Sequence, residues 1–298
     1  MCGTCGCGDE SRGKVTNLQT GISVPVAHAD HSHSHSHGDD HHSHDHTHEH
    51  DHSHDHSHDH GHHHDHQHTH DHTHGTTVSL EAEILAKNDK LAERNRGWFA
   101  GRNILALNLV SSPGAGKTTL LERTIRDLSG QFPINVIEGD QETTNDAERI
   151  RSTGCDVVQI NTGTGCHLEA DMLARGLEEL KPPLDSVVMI ENVGNLVCPA
   201  LFDLGEKCKV AILSVTEGED KPLKYPHMFR ASDVMILNKI DLLPHVQFDV
   251  EKCIESARQV NPGIQVFEVS ATTGEGLDSW YQWLADQISV ELNTEATS

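Results

Sequence analysis

Short apolar runs recur between residues 104 and 269, and the first is followed by a helical segment that begins near Thr119. Five such runs lie at 104–110, 135–140, 186–191, 234–237 and 265–269. Runs without polar alternation are typical of strands buried on both faces, where helices cover both sides of a parallel sheet. The pattern predicts an α/β fold with a mostly parallel sheet flanked by helices.

Residues 79–100 have the periodicity of an amphipathic helix that leads into the first of these strands. Ser79 is a plausible N-cap, because its hydroxyl can accept a hydrogen bond from the first turn. The predicted apolar side carries Leu80, Ile84, Leu91 and Trp98.

A histidine-rich stretch makes up most of the N-terminal quarter of the chain. Of the 27 histidines among 298 residues, 24 lie between His28 and His74, where Ala29 is the one apolar side chain. This composition buries too little hydrophobic surface to offset the entropy of ordering, so it predicts disorder. We therefore divide the chain into a cysteine metal motif (1–8), a disordered His-rich metal-binding arm (9–75) and one compact domain (76–298).

The net charge argues against two classes of partner. Residues 1–75 hold 12 acidic and 2 basic residues, and residues 76–298 hold 34 and 20, giving −10 and −14. An acidic body without a Lys/Arg stripe repels phosphate backbones and anionic lipids, so we expect no nucleic-acid and no membrane binding. The N-terminus does not read as a secretory signal, and no apolar run could span a bilayer. We expect a cytoplasmic protein with reduced cysteines.

Two features of the N-terminal region predict metal binding. Between residues 41 and 74 histidine alternates with Asp, Ser or Thr, and imidazole is a ligand for zinc, copper and nickel. The alternative is a solvated linker that binds metal only incidentally. Cys2, Cys5 and Cys7 can converge on one soft ion; the alternative is a redox-active cluster without a specific ion.

A glycine-rich loop follows the first predicted strand. Residues 111–118 match the phosphate-binding motif G-x-x-x-x-G-K-[ST], with Ser111 in place of the first glycine. The backbone N–H groups of such a loop bind phosphate oxygens, the lysine reaches the β- and γ-phosphates, and the threonine ligates Mg²⁺. The predicted nucleotide-binding residues are Gly114, Ala115, Gly116, Lys117, Thr118 and Thr119, with Lys117 also catalytic and Thr118 a Mg²⁺ ligand.

The strand at 234–237 runs into Asn238-Lys239-Ile240-Asp241, the spacing of the guanine-specificity motif of GTPases. The Asp241 carboxylate can accept from guanine N1–H and from the 2-amino group, which adenine lacks. Lys239 would cover the base, and Asn238 would tie this loop to the phosphate loop. Ser270 and Ala271 resemble the backbone-supplied base contact of the same superfamily. GTP is therefore predicted over ATP.

Two strand ends are positioned to sense the γ-phosphate. Asp140 can bind Mg²⁺ through water or orient the attacking water; the alternative is a cap for the following helix. Glu191 begins Glu-x-x-Gly where most GTPases have Asp-x-x-Gly, and it would lie near Mg²⁺ as a catalytic residue. Gly194 can donate its N–H to the γ-phosphate and move on hydrolysis. We expect slow hydrolysis, since Arg149 and Arg151 are only guesses for an arginine finger.

A second metal site is predicted within the compact domain. Cys166 and His167 are adjacent, but the glycines before them predict a loop in which both side chains can turn to one ion. Cys198 lies four residues after Gly194, so a shift at the γ-phosphate would move its thiolate. These three residues, with or without those of a second chain, would hold a soft ion according to nucleotide state; alternatively the cysteines are buried structural thiols. We expect Cys155, Cys208 and Cys253 to be structural, and His227 and His245 to be ordinary surface histidines.

Together these motifs resemble the HypB family of hydrogenase nickel-incorporation GTPases over nearly the whole chain. The resemblance rests on the Cys-x-x-Cys-x-Cys start, the His-rich insert, the phosphate loop, Glu-Gly-Asp-Gln, Cys166-His167, Glu-Asn-Val-Gly-Asn-Leu-Val-Cys-Pro and Asn-Lys-x-Asp. It implies a P-loop GTPase fold of the SIMIBI class, with GTP-dependent homodimerisation coupled to nickel delivery into [NiFe] hydrogenase through its large subunit precursor.

The same resemblance implies further partners and sites. It implies a small nickel- and zinc-binding maturation protein, HypA, as a partner. It also implies a tight nickel site at the cysteine start and a weaker Ni²⁺ or Zn²⁺ site, at the dimer interface, formed by Cys166, His167 and Cys198. Nickel storage by the His-rich arm follows from composition and from similarity to the His-rich members.

Two other functions stay open at this level. A urease-type nickel GTPase would share the phosphate loop and Asn-Lys-x-Asp, but not the cysteine start or the segment around Cys198. A passive nickel or zinc storage protein would depend on residues 28–74 rather than on Lys117. Ligand chemistry does not select nickel over zinc or copper, because a nitrogen and sulfur ligand set suits all three ions.

Overall fold

The structure is a computed structural model of the chain and describes residues 13–25, 73–141 and 145–295. In chain order the strands are β1 (Lys14–Asn17), β2 (Ile22–Pro25), β3 (Leu105–Ser111), β4 (Ile134–Asp140), β5 (Asp156–Asn161), β6 (Val187–Glu191), β7 (Cys208–Ser214), β8 (Val234–Asn238) and β9 (Gln265–Glu268). The helices are α1 (Thr73–Ala100), α2 (Lys117–Leu128), α3 (Asn145–Arg151), α4 (Ala170–Leu180), α5 (Cys198–Leu201), α6 (Lys221–Lys224), α7 (Pro226–Ala231), α8 (Val250–Val260) and α9 (Leu277–Glu295), with a 3-10 helix at Ile240–His245.

The strands of these ranges form a single sheet in the order β2-β1-β5-β4-β6-β3-β7-β8-β9. All neighbours from β5 to β9 are parallel, and β1 pairs antiparallel with both β2 and β5. The predicted mostly parallel sheet is therefore confirmed. Because parallel strands end at the same edge, the loops after β3, β4 and β6 lie side by side, which is where ligands bind in such sheets.

Helices cover both faces of the sheet, and β3 shows why its sequence is apolar throughout. Leu105, Leu107 and Leu109 pack in one core cluster with α2 and α9, whereas Ala106 packs in a second cluster with α1 and α4. Every residue of β3 is buried, so alternate side chains stabilise opposite layers. Among the described helices, none is both long and apolar enough to cross a membrane.

The predicted boundary at residue 75 needs correction for one segment. Residues 14–25 were assigned to the disordered arm, but they form a β-hairpin whose first strand pairs with β5, with Val15 opposite Ile160. Val15 is 2 % exposed. Strands this short show little hydrophobic periodicity in the sequence. They are stabilised by pairing with the edge of the sheet. The cysteine motif at 1–8 and residues 26–72 lie outside the described residues.

Helix α1 is longer than predicted and buries a different face. Its backbone begins at Thr73, so Ser79 lies within the helix and not at its N-cap. Ile84, predicted on the apolar side, is 46 % exposed. The buried positions are Asn88, Ala92, Asn95 and Phe99. Asn95 donates to the backbone carbonyls of Ala170 and Leu204. Because asparagines are polar, a buried face that contains them does not show hydrophobic periodicity in the sequence.

Candidate functional site

The carboxyl ends of β3, β4 and β6 open into a cavity of about 540 Å³, a volume in the range of small-molecule sites. The phosphate loop can wrap around it because Gly114 and Gly116 have φ angles of 78° and 93°, which favour glycine. Helix α2 begins at Lys117, so the N–H groups of its first turn are available to an anion. The predicted residues that line the cavity are Gly114, Ala115, Gly116, Lys117, Thr118, Thr119, Asp140, Glu191, Gly194 and Lys239.

Lys117, Thr118 and Glu191 form a polar cluster in this cavity. The Lys117 Nζ lies 3.2 Å from Oε1 of Glu191, and the Thr118 hydroxyl donates to the same oxygen at 2.7 Å. The second oxygen of Glu191 is buried and has no hydrogen-bond partner within the described ranges. Magnesium takes hydroxyl and carboxylate oxygens. Together with Asp140, which lines the same cavity, this set of donor atoms fits Mg²⁺.

The position of Asp140 bears on its two interpretations. Asp140 is the last residue of β4, and α3 begins only at Asn145, so Asp140 does not immediately precede that helix. A capping side chain belongs to the residue just before the first turn. The backbone carbonyl of Asp140 accepts from the Thr162 N–H at 2.8 Å, which anchors the strand end. The geometry favours a role in the cavity over a cap.

The two candidate arginines occupy different surroundings. Arg149 lines the cavity, and its guanidinium contacts Thr119 Oγ1 at 3.3 Å, Glu122 at 3.0 Å and Asp146 at 3.1 Å. Arg151 instead donates to a backbone carbonyl of the N-terminal hairpin. Of the two, Arg149 is therefore the one that can reach a bound phosphate.

Glu138 is a cavity residue that the sequence analysis did not single out. It lies opposite Glu191 in the pairing of β4 with β6, and it is 3 % exposed. Burial, reinforced by the charges of Glu191 and Asp140, raises the pKa of Glu138 to about 9, so the carboxyl is protonated at neutral pH. In the sequence, Glu138 is an acidic residue inside an apolar run and the first residue of Glu-Gly-Asp-Gln.

The Asn-Lys-x-Asp loop is hydrogen-bonded to the phosphate loop. Asn238 donates from Nδ2 to the Ala115 carbonyl at 3.0 Å, and Lys239 donates from Nζ to the Gly114 carbonyl at 2.7 Å. The Oδ1 of Asn238 accepts from the Ala271 N–H at 3.1 Å, so a base contact by that N–H would require an exchange of partners. Asp241 has a buried carboxylate oxygen without a hydrogen-bond partner among the described residues, ready for a donor.

Ser270, the other predicted base-contact residue, is fully buried. Its hydroxyl oxygen accepts from the Thr273 N–H at 3.1 Å, and its backbone N–H donates to the Glu275 carbonyl. Ser270 therefore shapes the turn after β9, and its side chain is held within that turn.

Cys166, His167 and Cys198 come together although 31 residues separate the first from the last in the chain. Their ligand atoms all lie within 4.8 Å of one another. The His167 ring packs against Phe202, and burial lowers the pKa of His167 to about 4. The imidazole is therefore neutral at physiological pH, which is the form that binds metals. Three donors leave at least one position of a four-coordinate ion open.

The other cysteines and histidines are placed apart from this cluster. Cys155, Cys208 and Cys253 are buried, and burial raises the pKa of Cys155 and of Cys253 to about 12, which suits structural thiols. His227 and His245 are exposed. Cys2, Cys5 and Cys7 lie outside the described residues, so their predicted site stays a prediction.

Comparisons with known proteins agree with this geometry. A family model described as the CobW/HypB/UreG nucleotide-binding domain matches residues 105–268. The chain is 61 % identical over 210 residues to the hydrogenase maturation factor HypB of Escherichia coli strain K12, which covers 70 % of this chain and 72 % of that protein.

Two solved structures resemble the described fold. Hydrogenase maturation factor HypB from Archaeoglobus fulgidus has a TM-score of 0.64 at 38 % identity, covering 68 % of this chain and 99 % of that one. HypB from Helicobacter pylori, solved in complex with nickel, has a TM-score of 0.64 at 36 % identity, covering 68 % and 95 %. With a family match over more than half of its length and a relative of 61 % identity, this chain belongs to the HypB family of hydrogenase maturation factors.

Proposed function

We propose that this protein is a Mg²⁺-dependent GTPase that delivers nickel to [NiFe] hydrogenase during its maturation. One observation carries the proposal. The segment 191–198 begins with Glu191 in the nucleotide cavity and ends with Cys198 in the Cys166, His167 and Cys198 cluster. A change at the γ-phosphate and a change in metal ligation therefore act on the same eight residues.

Hydrolysis would proceed by in-line attack of water on the γ-phosphorus. The bond from phosphorus to the β,γ-bridging oxygen breaks, and GDP and phosphate are released. Magnesium, when bound with GTP, neutralises charge on the β- and γ-phosphate oxygens. Lys117 would bind the same oxygens, Thr118, Glu191 and Asp140 would hold the metal, and Asp140 would orient the attacking water. We expect a slow intrinsic rate, because Arg149 is held by Glu122 and Asp146.

Nickel is the cargo of this cycle. A cluster of two thiols and a neutral imidazole suits Ni²⁺ and also Zn²⁺, so zinc is the expected competitor at this site. The relative from Helicobacter pylori was solved with nickel, which supports nickel as the delivered ion. The open coordination position is the place where a second chain, in a GTP-dependent homodimer, would complete the site.

Several further parts of the proposal rest on the sequence motifs. Cys2, Cys5 and Cys7 form a separate tight nickel site, and the His-rich arm stores nickel. The protein works in the cytoplasm with HypA and with the [NiFe] hydrogenase large subunit precursor. The names of the relatives with 59 % to 61 % identity mention hydrogenase alone, which favours this target over urease. Passive storage is distinguished from delivery by the response of the cluster to nucleotide.

The test is nickel binding by the full chain with and without a non-hydrolysable GTP analogue, together with its monomer to dimer ratio. A background carrying Cys2→Ser, Cys5→Ser and Cys7→Ser isolates the cluster, since thiolate-to-nickel absorption then reports Cys166 and Cys198 and not the histidines. We expect the analogue to change both nickel affinity and dimerisation. The metal response should be absent in Cys198→Ala and present in the matched control Cys253→Ala. Passive storage predicts no response to nucleotide in any of these proteins.

A further inference from the structure

A set of buried and partly buried asparagines connects the nucleotide cavity to the loop that carries Cys166 and His167. Asn195 directly follows Gly194, a residue of the cavity wall. Its Nδ2 donates to the backbone carbonyl of Cys166 at 3.3 Å, and its Oδ1 accepts from the Val197 N–H at 2.9 Å. One side chain thus joins the two segments that carry the cysteines of the cluster.

Asn192 makes a second connection on the other side of Gly194. It follows Glu191 and is completely buried. Its Oδ1 accepts from the Leu168 N–H at 3.1 Å, and its Nδ2 donates to Oδ1 of Asn108 at 3.2 Å. The segment 192–195 is therefore hydrogen-bonded at both ends to the segment 166–168.

The same network continues to the segment after Cys198. Asn108 donates from Nδ2 to Glu206 at 3.0 Å, and the Lys209 Nζ lies 3.5 Å from the same carboxylate oxygen. Lys209 also donates to the backbone carbonyl of Pro199 at 2.8 Å, next to Cys198. Asn108, Glu206 and Lys209 are all buried. Satisfied buried polar groups fix one arrangement, because a displaced donor or acceptor would be left without a partner.

The segment 192–195 also lies directly against the phosphate loop. A Cβ atom at Gly194 would be 3.3 Å from the Pro113 Cα, so a side chain there would be crowded against the phosphate loop. A displacement of Gly194 that also moves its neighbours would either break the hydrogen bonds of Asn192 and Asn195 or carry the 166–168 segment with it. Asn192 is fully buried, so a broken hydrogen bond is costly there and the second outcome is favoured.

We propose that Asn192 and Asn195 are positioning residues that couple occupation of the γ-phosphate position to the geometry of the Cys166 and His167 side of the metal cluster. This inference rests on the proposed function and adds a structural route by which nucleotide binding affects the metal cluster. Nucleotide state then acts on both sides of the cluster, on Cys198 through the chain itself and on Cys166 and His167 through hydrogen bonds. Coupling between two sites of a protein is commonly about 5- to 150-fold in affinity, which sets the size of the expected effect.

The test uses substitutions at Asn195, which is only partly buried and therefore tolerates change better than Asn192. Asn195→Asp keeps the acceptor for Val197 and removes the donor to Cys166, whereas Asn195→Ala removes both. Asn261→Ala is the matched control, because its Nδ2 also bonds backbone carbonyls, those of Phe229 and Ser232, in another part of the fold. Each is made in the full chain with Cys2→Ser, Cys5→Ser and Cys7→Ser.

The readout is the ratio of nickel affinities with and without a non-hydrolysable GTP analogue. We expect this ratio to fall toward unity in both Asn195 variants and to stay at the parental value in Asn261→Ala. Nickel affinity without nucleotide, and affinity for the analogue, should change little, which a general loss of structure would not produce. Asn192→Ala should show the same loss of coupling, provided that thermal unfolding shows that the variant is folded.

The outcomes separate this inference from the proposed function. A parental protein whose ratio is already unity would overturn the proposed function together with its route. A parental response that persists in full in Asn195→Asp and Asn195→Ala would overturn only the route. Loss of nickel binding in the absence of nucleotide would assign Asn195 to the ligand geometry itself and would also overturn the positioning role.

Discussion

Lys117 and Glu191 form an ion pair in the nucleotide cavity, with side chains that are 12 % and 2 % exposed. A phosphate group that draws Lys117 away leaves the Glu191 carboxylate buried without a cation, which is costly in a region of low dielectric. A divalent cation that enters with the nucleotide restores the balance. GTP and Mg²⁺ are therefore expected to bind with strong mutual dependence.

Lys117→Ala should abolish GTP hydrolysis and lower the free energy of unfolding. The loss of stability is expected because breaking a buried ion pair costs about 3 to 5 kcal/mol. Phosphate release and urea unfolding measure the two effects. Lys252→Ala removes an exposed pair with Glu219 and serves as the control, with both properties unchanged. Hydrolysis at the parental rate in Lys117→Ala would contradict the assignment of the phosphate loop.

Asp241→Asn should weaken GTP binding without affecting the weak binding of ATP. The buried oxygen of Asp241 lacks a partner within the described ranges, and a hydrogen bond to a charged group contributes about 1.5 to 3 kcal/mol. This range corresponds to a loss of roughly 10- to 150-fold in affinity. Competition with a fluorescent nucleotide measures it, and Glu255→Gln, an exposed acid on α8, provides the control. Equal losses for GTP and ATP would refute base recognition by Asp241.

Cys198→Ala should weaken nickel binding at the cluster, because it removes one of three ligand atoms that lie within 4.8 Å of one another. The loss should be at least the roughly 10- to 100-fold that removal of a supporting residue causes at metal sites. Titration followed by thiolate absorption measures it. Cys253→Ala, which removes a fully buried thiol elsewhere, should bind nickel as before.

Glu138 should make stability depend on pH. Its pKa is raised from 4.5 to about 9, so the folded state holds a proton that the unfolded state has released over most of that interval. The stability that protonation provides is fully present below pH 4.5 and is lost as the pH rises toward 9. Urea unfolding between pH 5 and 9 should therefore show a steeper decline for the parent than for Glu138→Gln. Parallel curves would mean that Glu138 is ionised at neutral pH.

Because of the hairpin at 14–25, two deletions that appear equivalent in the sequence should differ in stability. Removing residues 28–72 should lower the number of bound nickel ions and leave GTP hydrolysis intact. Extending the deletion to residue 13 removes Val15 from the core, where burial of a valine side chain contributes about 1.5 to 3 kcal/mol. Thermal unfolding of the two proteins measures the difference, and Val15→Ala should reproduce part of it. Equal stability would show that the hairpin contributes nothing to the domain.

Five strands, β3, β4, β6, β8 and β9, could be predicted because their apolar character is local. Besides the two strands of the N-terminal hairpin, β5 and β7 were missed for a physical reason. Strand β5 contains Gln159 and β7 contains Lys209, and neither strand leads into a recognised motif, whereas β3, which contains Asn108, leads into the phosphate loop. Both polar residues are buried in the folded chain. Lys209 is satisfied there by the Pro199 carbonyl, a partner that no local pattern reveals.

In the candidate site, too, some residues could be predicted from the sequence and others could not. Lys117, Thr118 and Asp241 belong to contiguous motifs whose spacing reflects the ligand, so they could be named from the sequence. The importance of Glu138 and Asn192, in contrast, depends on which strands are neighbours in the sheet. Glu138 matters because β4 pairs with β6, and Asn192 because β6 pairs with β3, which carries Asn108. Those pairings exist only in the folded sheet.

The antiparallel pairing of β1 with β5 has a consequence for the histidine-rich residues between β2 and α1. The chain enters these residues from a strand held in the sheet and leaves them into a helix, so both ends of the segment 26–72 are joined to described elements. A single proteolytic cut within 26–72 would leave two polypeptides associated through the hydrogen bonds between β1 and β5. If the histidines store nickel as proposed, the ions on either side of the cut would stay with the complex until denaturation or a second cut.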